Sequence, residues 1–371
     1  PSHIEGYLEF SEKSKIVALC DIYPEKAEKA ADKYNLEVDI YDDHKKMLAR
    51  DDIDLISVCT PPYTHAEITI DFLNANKHVI CEKPMASSLA ECDAMISASE
   101  KNNKMLSVIS QNRFTNPMMK LKKVLESGLI GPIVYAQVDS YWWRGYKYYD
   151  LWWRGTWEKE GGGPTLNHAV HHIDIFRWMN GMPSEITAVM SNVSHDNAEV
   201  EDISVAVGKY EDNSLAQITS SVIHHGQEQK LIFQGKNAKV SVPWSIAAST
   251  ARENGFPDKN DELEREIENY YKKQSDLDYE GHTGQINNVL NSLLGKEKIL
   301  IDGVEGRETL SLITAIYQSA TFNQKVELPI GKESPFYTRE GLIKNAHKFY
   351  EKKNSIGNFT NDEITTGGDY E

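Results

Sequence analysis

The chain has 371 residues, enough for two domains with their own cores. Hydrophobic residues make up 40% and charged residues 26%, and no apolar run nears the roughly 18–20 residues a membrane helix needs. A net charge of −16 repels phosphate backbones and argues against nucleic acid as a partner.

The first part alternates strands and helices. Residues 15–20 read as a buried strand and 24–34 as a helix. Residues 53–59, 78–81 and 105–109 read as further strands, with helices over 64–74 and 88–102 between them. Short apolar, β-branched runs separated by amphipathic helices predict a parallel sheet covered on both faces. Right-handed crossovers make it an α/β doubly wound sheet of the Rossmann kind.

The texture changes after about Arg113, so the first domain is expected over 1–115 and the second over 116–371. A helix over 118–127 leads to longer, alternating strands at 133–141, 186–193, 203–210, 214–222, 229–234 and 239–242. Turn residues between them predict one large, mostly antiparallel or mixed open sheet in an α+β domain. Helices follow at 262–273, 283–294 and 308–320, and the polar tail 354–371 reads as mobile. Cys20, Cys59, Cys81 and Cys92 form no C-x-x-C pair. They read as buried free thiols of a reducing, cytoplasmic compartment.

A doubly wound dinucleotide fold starts with a strand, a glycine-rich turn and a helix. The sequence has no G-x-G-x-x-G and opens on a helical pattern, so that strand and turn are expected to precede Pro1. Asp21 and Ile22 end the 15–20 strand, where an acid can accept the ribose hydroxyls of a dinucleotide and disfavour a 2′-phosphate. An acid there also serves as a turn former or helix cap.

Two segments carry the chemistry. Cys81-Glu82-Lys83-Pro84 follows a strand, and Gly161-Gly162-Gly163-Pro164-Thr165-Leu166-Asn167-His168-Ala169-Val170-His171-His172-Ile173-Asp174 packs a triple glycine, an amide, three imidazoles and a carboxylate into one helix start. With Thr60-Pro61-Pro62-Tyr63-Thr64-His65 and Gln111-Asn112-Arg113-Phe114, in this order, they resemble the Gfo/Idh/MocA oxidoreductases, which include inositol dehydrogenases and glucose–fructose oxidoreductases.

The resemblance implies a nicotinamide cofactor, NAD rather than NADP, held by Asp21, Ile22, Thr60, Pro61, Pro62, His65, Glu82, Lys83 and Gln111. It implies hydride transfer from a secondary alcohol of a sugar, sugar derivative or cyclitol. His171 would take the proton and Lys83 would steady the alkoxide. In relatives the Lys83–Pro84 bond is cis, and the second domain's open sheet makes homodimers or homotetramers. Relatives often carry aspartate at the Asn167 position. An amide there can bind substrate or orient His171, four residues on and on the same helical face, but gives imidazolium no charge. Arg113, Trp153, Arg154, Asn167, His171 and His172 are the candidate substrate contacts, His172 as a direct contact or one step behind. The family also contains NAD-retaining glycosidases and epimerases, and a non-catalytic sugar sensor could use the same scaffold.

No metal is expected. His168, His171, His172 and Asp174 have chelating spacings, but no second ligand cluster has a supporting motif. Residues 141–157 hold nine aromatics interleaved with Arg144, Lys147 and Arg154. Such a stretch suits sugar stacking over an active site, and equally a core or an oligomer interface.

Overall fold

The computed structural model describes residues 1–357 and 359. Two compact units result, 1–115 with 277–307, and 116–276 with the described residues from 308 on. The sequence reading placed 277–307 in the second domain. The segment packs instead with the first.

The first unit opens with α1 (Ser2–Glu9), β1 (Ala18–Cys20), α2 (Pro24–Tyr34) and β2 (Asp39–Tyr41). It continues through β3 (Leu55–Val58), α3 (Pro62–Asn74), β4 (His78–Cys81), α4 (Leu89–Asn102) and β5 (Leu106–Val108). Asn35 and Asn103 end α2 and α4 at φ of 51° and 49°, the left-handed cap that asparagine tolerates. The parallel strands form two sheets, β1–β2 and β3–β4–β5. Among the described residues no strand hydrogen-bonds to both β1 and β3.

The second unit comprises α5 (Asn116–Glu126), β6 (Ile133–Tyr141), α6 (Pro164–Asn167), α7 (Val170–Asn180), β7 (Glu185–Ser191), β8 (Ile203–Lys209) and β9 (Leu215–Ser221). Then come β10 (Gln229–Gly235), β11 (Ala238–Val242), β12 (Ser245–Ala251), β13 (Pro257–Lys259) and α8 (Asp261–Lys273). Next, α9 (Gly281–Leu293) belongs to the first unit, where it packs on α1. Phe10, Ile80, Ile109, Ile286, Val289 and Leu290 form that core. Helix α10 (Gly303–Phe322) begins in the first unit and continues in the second, which ends with β14 (Val326–Glu327) and α11 (Arg339–Asn345).

Nine strands make one sheet in the order β13-β12-β11-β10-β6-β9-β8-β7-β14. All pairs are antiparallel except β6–β9. Along β8, Ser204, Ala206 and Gly208 are buried while Val207 and Lys209 are exposed, the period-two burial of a sheet covered on one face. The tail was expected to be mobile. Residues 354–356 are tied down, because Asn354 N–H reaches Asn197 Oδ1 at 2.7 Å and Ile356 pairs with Leu151. Residues 358 and 360–371 lie outside the described residues. No helix among the described residues is long and apolar enough to cross a membrane.

Candidate active site

In a parallel sheet the loops at the carboxyl ends of the strands form the ligand crevice. Asp21 directly follows β1. Its Oδ1 accepts the Tyr23 N–H at 2.9 Å, so it does form the turn into α2. Ile22 beside it is 76% exposed. Thr60 and Pro61 follow β3, and Pro62 starts α3, where its missing N–H is not needed.

His65 is fully buried. Its Nδ1 meets Pro84 O at 2.9 Å and its Nε2 meets Thr60 O at 2.7 Å. Burial lowers its pKa from the usual imidazole value, against two carbonyls that favour the cation. Both nitrogens are therefore committed to backbone. His65 brackets the turns after β3 and β4, and the expected cofactor contact is withdrawn.

The turn after β4 is pinned from the other side too. Glu82 Oε1 receives His3 Nε2 at 3.0 Å and lies 3.4 Å from His282 Nε2, while Oε2 accepts the Lys83 N–H at 3.1 Å. Burial alone would raise the Glu82 pKa. The hydrogen bonds from His282 and His3 outweigh it and hold the carboxyl well below the usual carboxylate range. His3 Nδ1 in turn pairs with Ser57 Oγ at 3.0 Å, and Ser57 with the Tyr7 hydroxyl at 2.7 Å. The Lys83–Pro84 peptide is cis, and Lys83 is half-buried. Sequence reasoning missed His3 and His282, which lie 79 and 200 positions from Glu82. Among the described residues they and Glu82 are also the set whose ligand atoms, within 4.8 Å of one another, could hold a metal ion. The run from His168 to Asp174 is not such a set.

Gln111 opens a 3-10 helix after β5, and its Oε1 is a buried acceptor without a hydrogen-bond partner among the described residues. Such an orphaned atom costs about 1–3 kcal/mol unless a ligand or water supplies a donor. Arg113 is fully buried, with Nη1 at 2.6 Å from Glu305 Oε2. Its guanidinium is committed to the interior, so it is withdrawn as a substrate contact.

In the second unit the triple glycine starts α6. Glu201, fully buried, accepts the Gly163 and Thr165 N–H groups at 3.1 Å each and the Tyr317 hydroxyl at 3.0 Å. Burial pushes its carboxyl up to about 7 despite these donors. Neither the role of Glu201 nor that of Tyr317 was read from the sequence.

The helix expected to continue from Asn167 through His171 is broken at His168 and Ala169. Asn167 ends α6, and its Nδ2 donates back to Gly162 O at 2.7 Å and Gly163 O at 3.2 Å. The shared-face argument for Asn167 and His171 therefore fails, since it needs one continuous helix. His171 lies half-buried in the first turn of α7. His172 is fully buried against Ser140 Oγ at 3.0 Å, and burial lowers its pKa to about 4. It is a neutral interior group and is withdrawn as a direct contact.

The aromatic stretch divides. Tyr149 and Trp157 are core residues, each 1% exposed. Arg154 is half-buried over the Tyr148 ring at 4.0 Å and the half-buried Trp153 ring at 4.2 Å, and pairs with buried Glu160 at 3.1 Å. Of the cysteines, Cys20 and Cys59 are exposed and only Cys81 and Cys92 are buried.

A parallel α/β unit carrying a pinned lysine turn, with a mixed-sheet unit carrying a glycine-led histidine helix, is the make-up of a two-domain oxidoreductase. Residues 1–110 match the oxidoreductase family with an NAD-binding Rossmann fold and residues 118–241 its C-terminal domain, so the chain belongs to the GFO/IDH/MocA family. It is 27% identical over 248 residues to the 2,7-anhydro-N-acetylneuraminate hydratase of Mediterraneibacter gnavus, covering 66% of this chain and 64% of that protein. It is 36% identical over 118 residues to the inositol 2-dehydrogenase of Salmonella paratyphi B, covering 32% and 35%. The matches thus span less than two thirds of these two relatives. The WlbA dehydrogenase of Bordetella pertussis, solved with NADH and UDP-GlcNAcA, has a TM-score of 0.75 at 28% identity, covering 89% of this chain and 94% of that one.

Proposed function

We propose that the protein is an NAD-dependent dehydrogenase acting on a secondary alcohol of a sugar, sugar derivative or cyclitol. The observation that carries this is the pinned Glu82–Lys83–Pro84 turn. His3 and His282 hold Glu82, and His65 holds Pro84, so the lysine between them has a fixed backbone.

NAD, when bound, supplies the hydride-accepting ring. Asp21, Ile22, Thr60, Pro61, Pro62, Glu82, Lys83 and Gln111 would hold it. They sit at the carboxyl ends of parallel strands, and Gln111 brings a buried acceptor with no donor among the described residues. Lys83 places an ammonium on the substrate oxygen as negative charge develops. His171 takes the hydroxyl proton, and Trp153 and Arg154 line the substrate. Asn167 acts by closing the glycine turn.

The test is absorbance in the NADH band with NAD and a panel of inositols, aldoses, uronic acids and amino sugars. One class should give a rise, and Lys83→Ala should lower its rate by about 10²–10³-fold, the scale of losing one charge-stabilising group. NAD binding without any NADH accumulation would favour a cofactor-retaining glycosidase or epimerase, or a sensor.

The assembly is a homodimer or homotetramer through the open sheet face. In register, Val189, Val207 and Leu215 lie on that face, 62%, 47% and 43% exposed. Exposed valines and leucine grouped on one sheet face mark an interaction surface. Val207→Glu should shift the mass measured by light scattering to that of a monomer. An unchanged oligomer would place the interface elsewhere. Four free thiols, two of them exposed, fit the cytoplasm as the compartment.

A further inference from the structure

We propose that Arg144 is an anion-binding group of the substrate site, and that the substrate is a sugar or cyclitol bearing a carboxylate. The reaction rests on the dehydrogenase reading above. The charge rests on Arg144.

The two arginines of the aromatic stretch have opposite electrostatic fates. Arg154 is neutralised by Glu160, itself 2% exposed. Arg144 is half-buried, and among the described residues no carboxylate pairs with it. Its Nη1 donates to Trp143 O at 2.7 Å and Gln227 Oε1 at 3.0 Å, both neutral acceptors. Its guanidinium carbon lies 5.5 Å from the Trp142 ring centre and 5.7 Å from that of Tyr148. A partly desolvated cation needs an anion more than it needs amides. In a chain of net charge −16, a cation left without one is informative.

The position is also functional ground. The Trp142 and Tyr148 rings each lie 5.8 Å from the His168 ring, at the break between α6 and α7. The cation is thus framed by the rings that pack on the segment joining Asn167 to His171. A second observation is the backbone of Gln227. It sits at φ 53°, a left-handed conformation uncommon for residues other than glycine and asparagine. That strain places an uncharged acceptor on one guanidinium nitrogen. These two hydrogen bonds leave from Nη1, the Tyr148 hydroxyl is a further neutral partner, and the planar fork of arginine matches a carboxylate with two parallel N–H bonds.

The experiment measures kcat/KM with NAD for matched pairs that differ only at the terminal carbon. The pairs are D-glucuronate and D-glucose, D-galacturonate and D-galactose, and D-mannuronate and D-mannose, with D-glucose 6-phosphate as a phosphate arm. The acid of the productive pair should be favoured by at least about tenfold, the range for charged hydrogen bonds. Arg144→Gln should bring the ratio to about one, and Arg144→Lys should keep part of it, since a point charge lacks the fork. Equal or better use of the neutral sugar overturns the proposal. So does a preference that survives in Arg144→Gln, or a phosphate that outruns the carboxylate. If none of these sugars is turned over and the wider panel of inositols and amino sugars also gives no NADH, the dehydrogenase reading fails. Tryptophan fluorescence titrated with glucuronate then still decides on Arg144. At least about tenfold weaker binding in Arg144→Gln supports the site, while equal binding or no response overturns it. Should circular dichroism show Arg144→Gln unfolded, Arg144→Lys carries the comparison.

Discussion

Replacing His171 by alanine is expected to lower kcat/KM by about 10²–10⁴-fold, the usual worth of a positioned general base. The substrate hydroxyl must lose its proton as the carbinol carbon loses hydride. Imidazole, whose unperturbed pKa is near neutrality, suits that transfer. His172 cannot substitute, because it is buried against Ser140 and shifted down to about 4. A proton relay through residue 167 is also closed, because the Asn167 amide nitrogen is spent on Gly162 and Gly163 carbonyls. The loss should fall mainly on kcat, since histidine acts in the transition state. The falling limb of the pH–rate profile at low pH should disappear with it, and added imidazole should restore part of the rate. A variant that keeps its rate and that limb would remove His171 from the chemistry. A variant that loses only affinity would make it a binding group.

How much of this could be read from the chain depends on the range of the interaction. Strand β4 and strand β6 coincide with the ranges read from sequence, because dense β-branched runs bounded by turn residues are local signals. Strands β12 and β13 were missed. They are mostly exposed and rich in serine, alanine, proline and aspartate, so they lack the apolar pattern. Membership of 277–307 in the first unit depends on packing against α1, which no local pattern carries. The same divide runs through the site. The motif residues Lys83, Asn167 and His171 stood out by spacing. The partners that fix them (His3, His282 and the buried Glu201) did not, because each pairing spans many residues. Burial decided the rest. His65, Arg113 and His172 have the chemistry of contacts, and only the structure reveals that they face inward.

Gly163→Ala is expected to destabilise the second unit by about 2–6 kcal/mol, an overpacking cost of about 1–3 kcal/mol added to about 1–3 kcal/mol for a buried acceptor stripped of its donors. The reason is space rather than dihedral preference. Gly163 has φ −90°, which alanine can adopt. A Cβ there would lie 2.1 Å from Glu201 O and 2.8 Å from its carboxylate. Neither group can yield cheaply. The first is backbone entering β8, and the second is held by Thr165 N–H and the Tyr317 hydroxyl. Displacing the carboxylate strands a fully buried acceptor without its donors. Gly181 is the control. It ends α7 at φ 76° and ψ −176°, an essentially glycine-only region, with nothing among the described residues within 4 Å, so alanine there meets only that backbone penalty of about 1–3 kcal/mol. Urea unfolding followed by circular dichroism should therefore rank Gly163→Ala well below Gly181→Ala in stability. The reverse order would show that the Glu201 anchor is soft. A soft anchor would also weaken the case for the glycine turn as the element that fixes Asn167 and presents His171, and the loss of turnover in His171→Ala would then need another positional cause. A stability loss with the expected ranking, and a kcat that falls with it in the surviving folded fraction, would tie the carboxylate, the turn and the histidine into one unit.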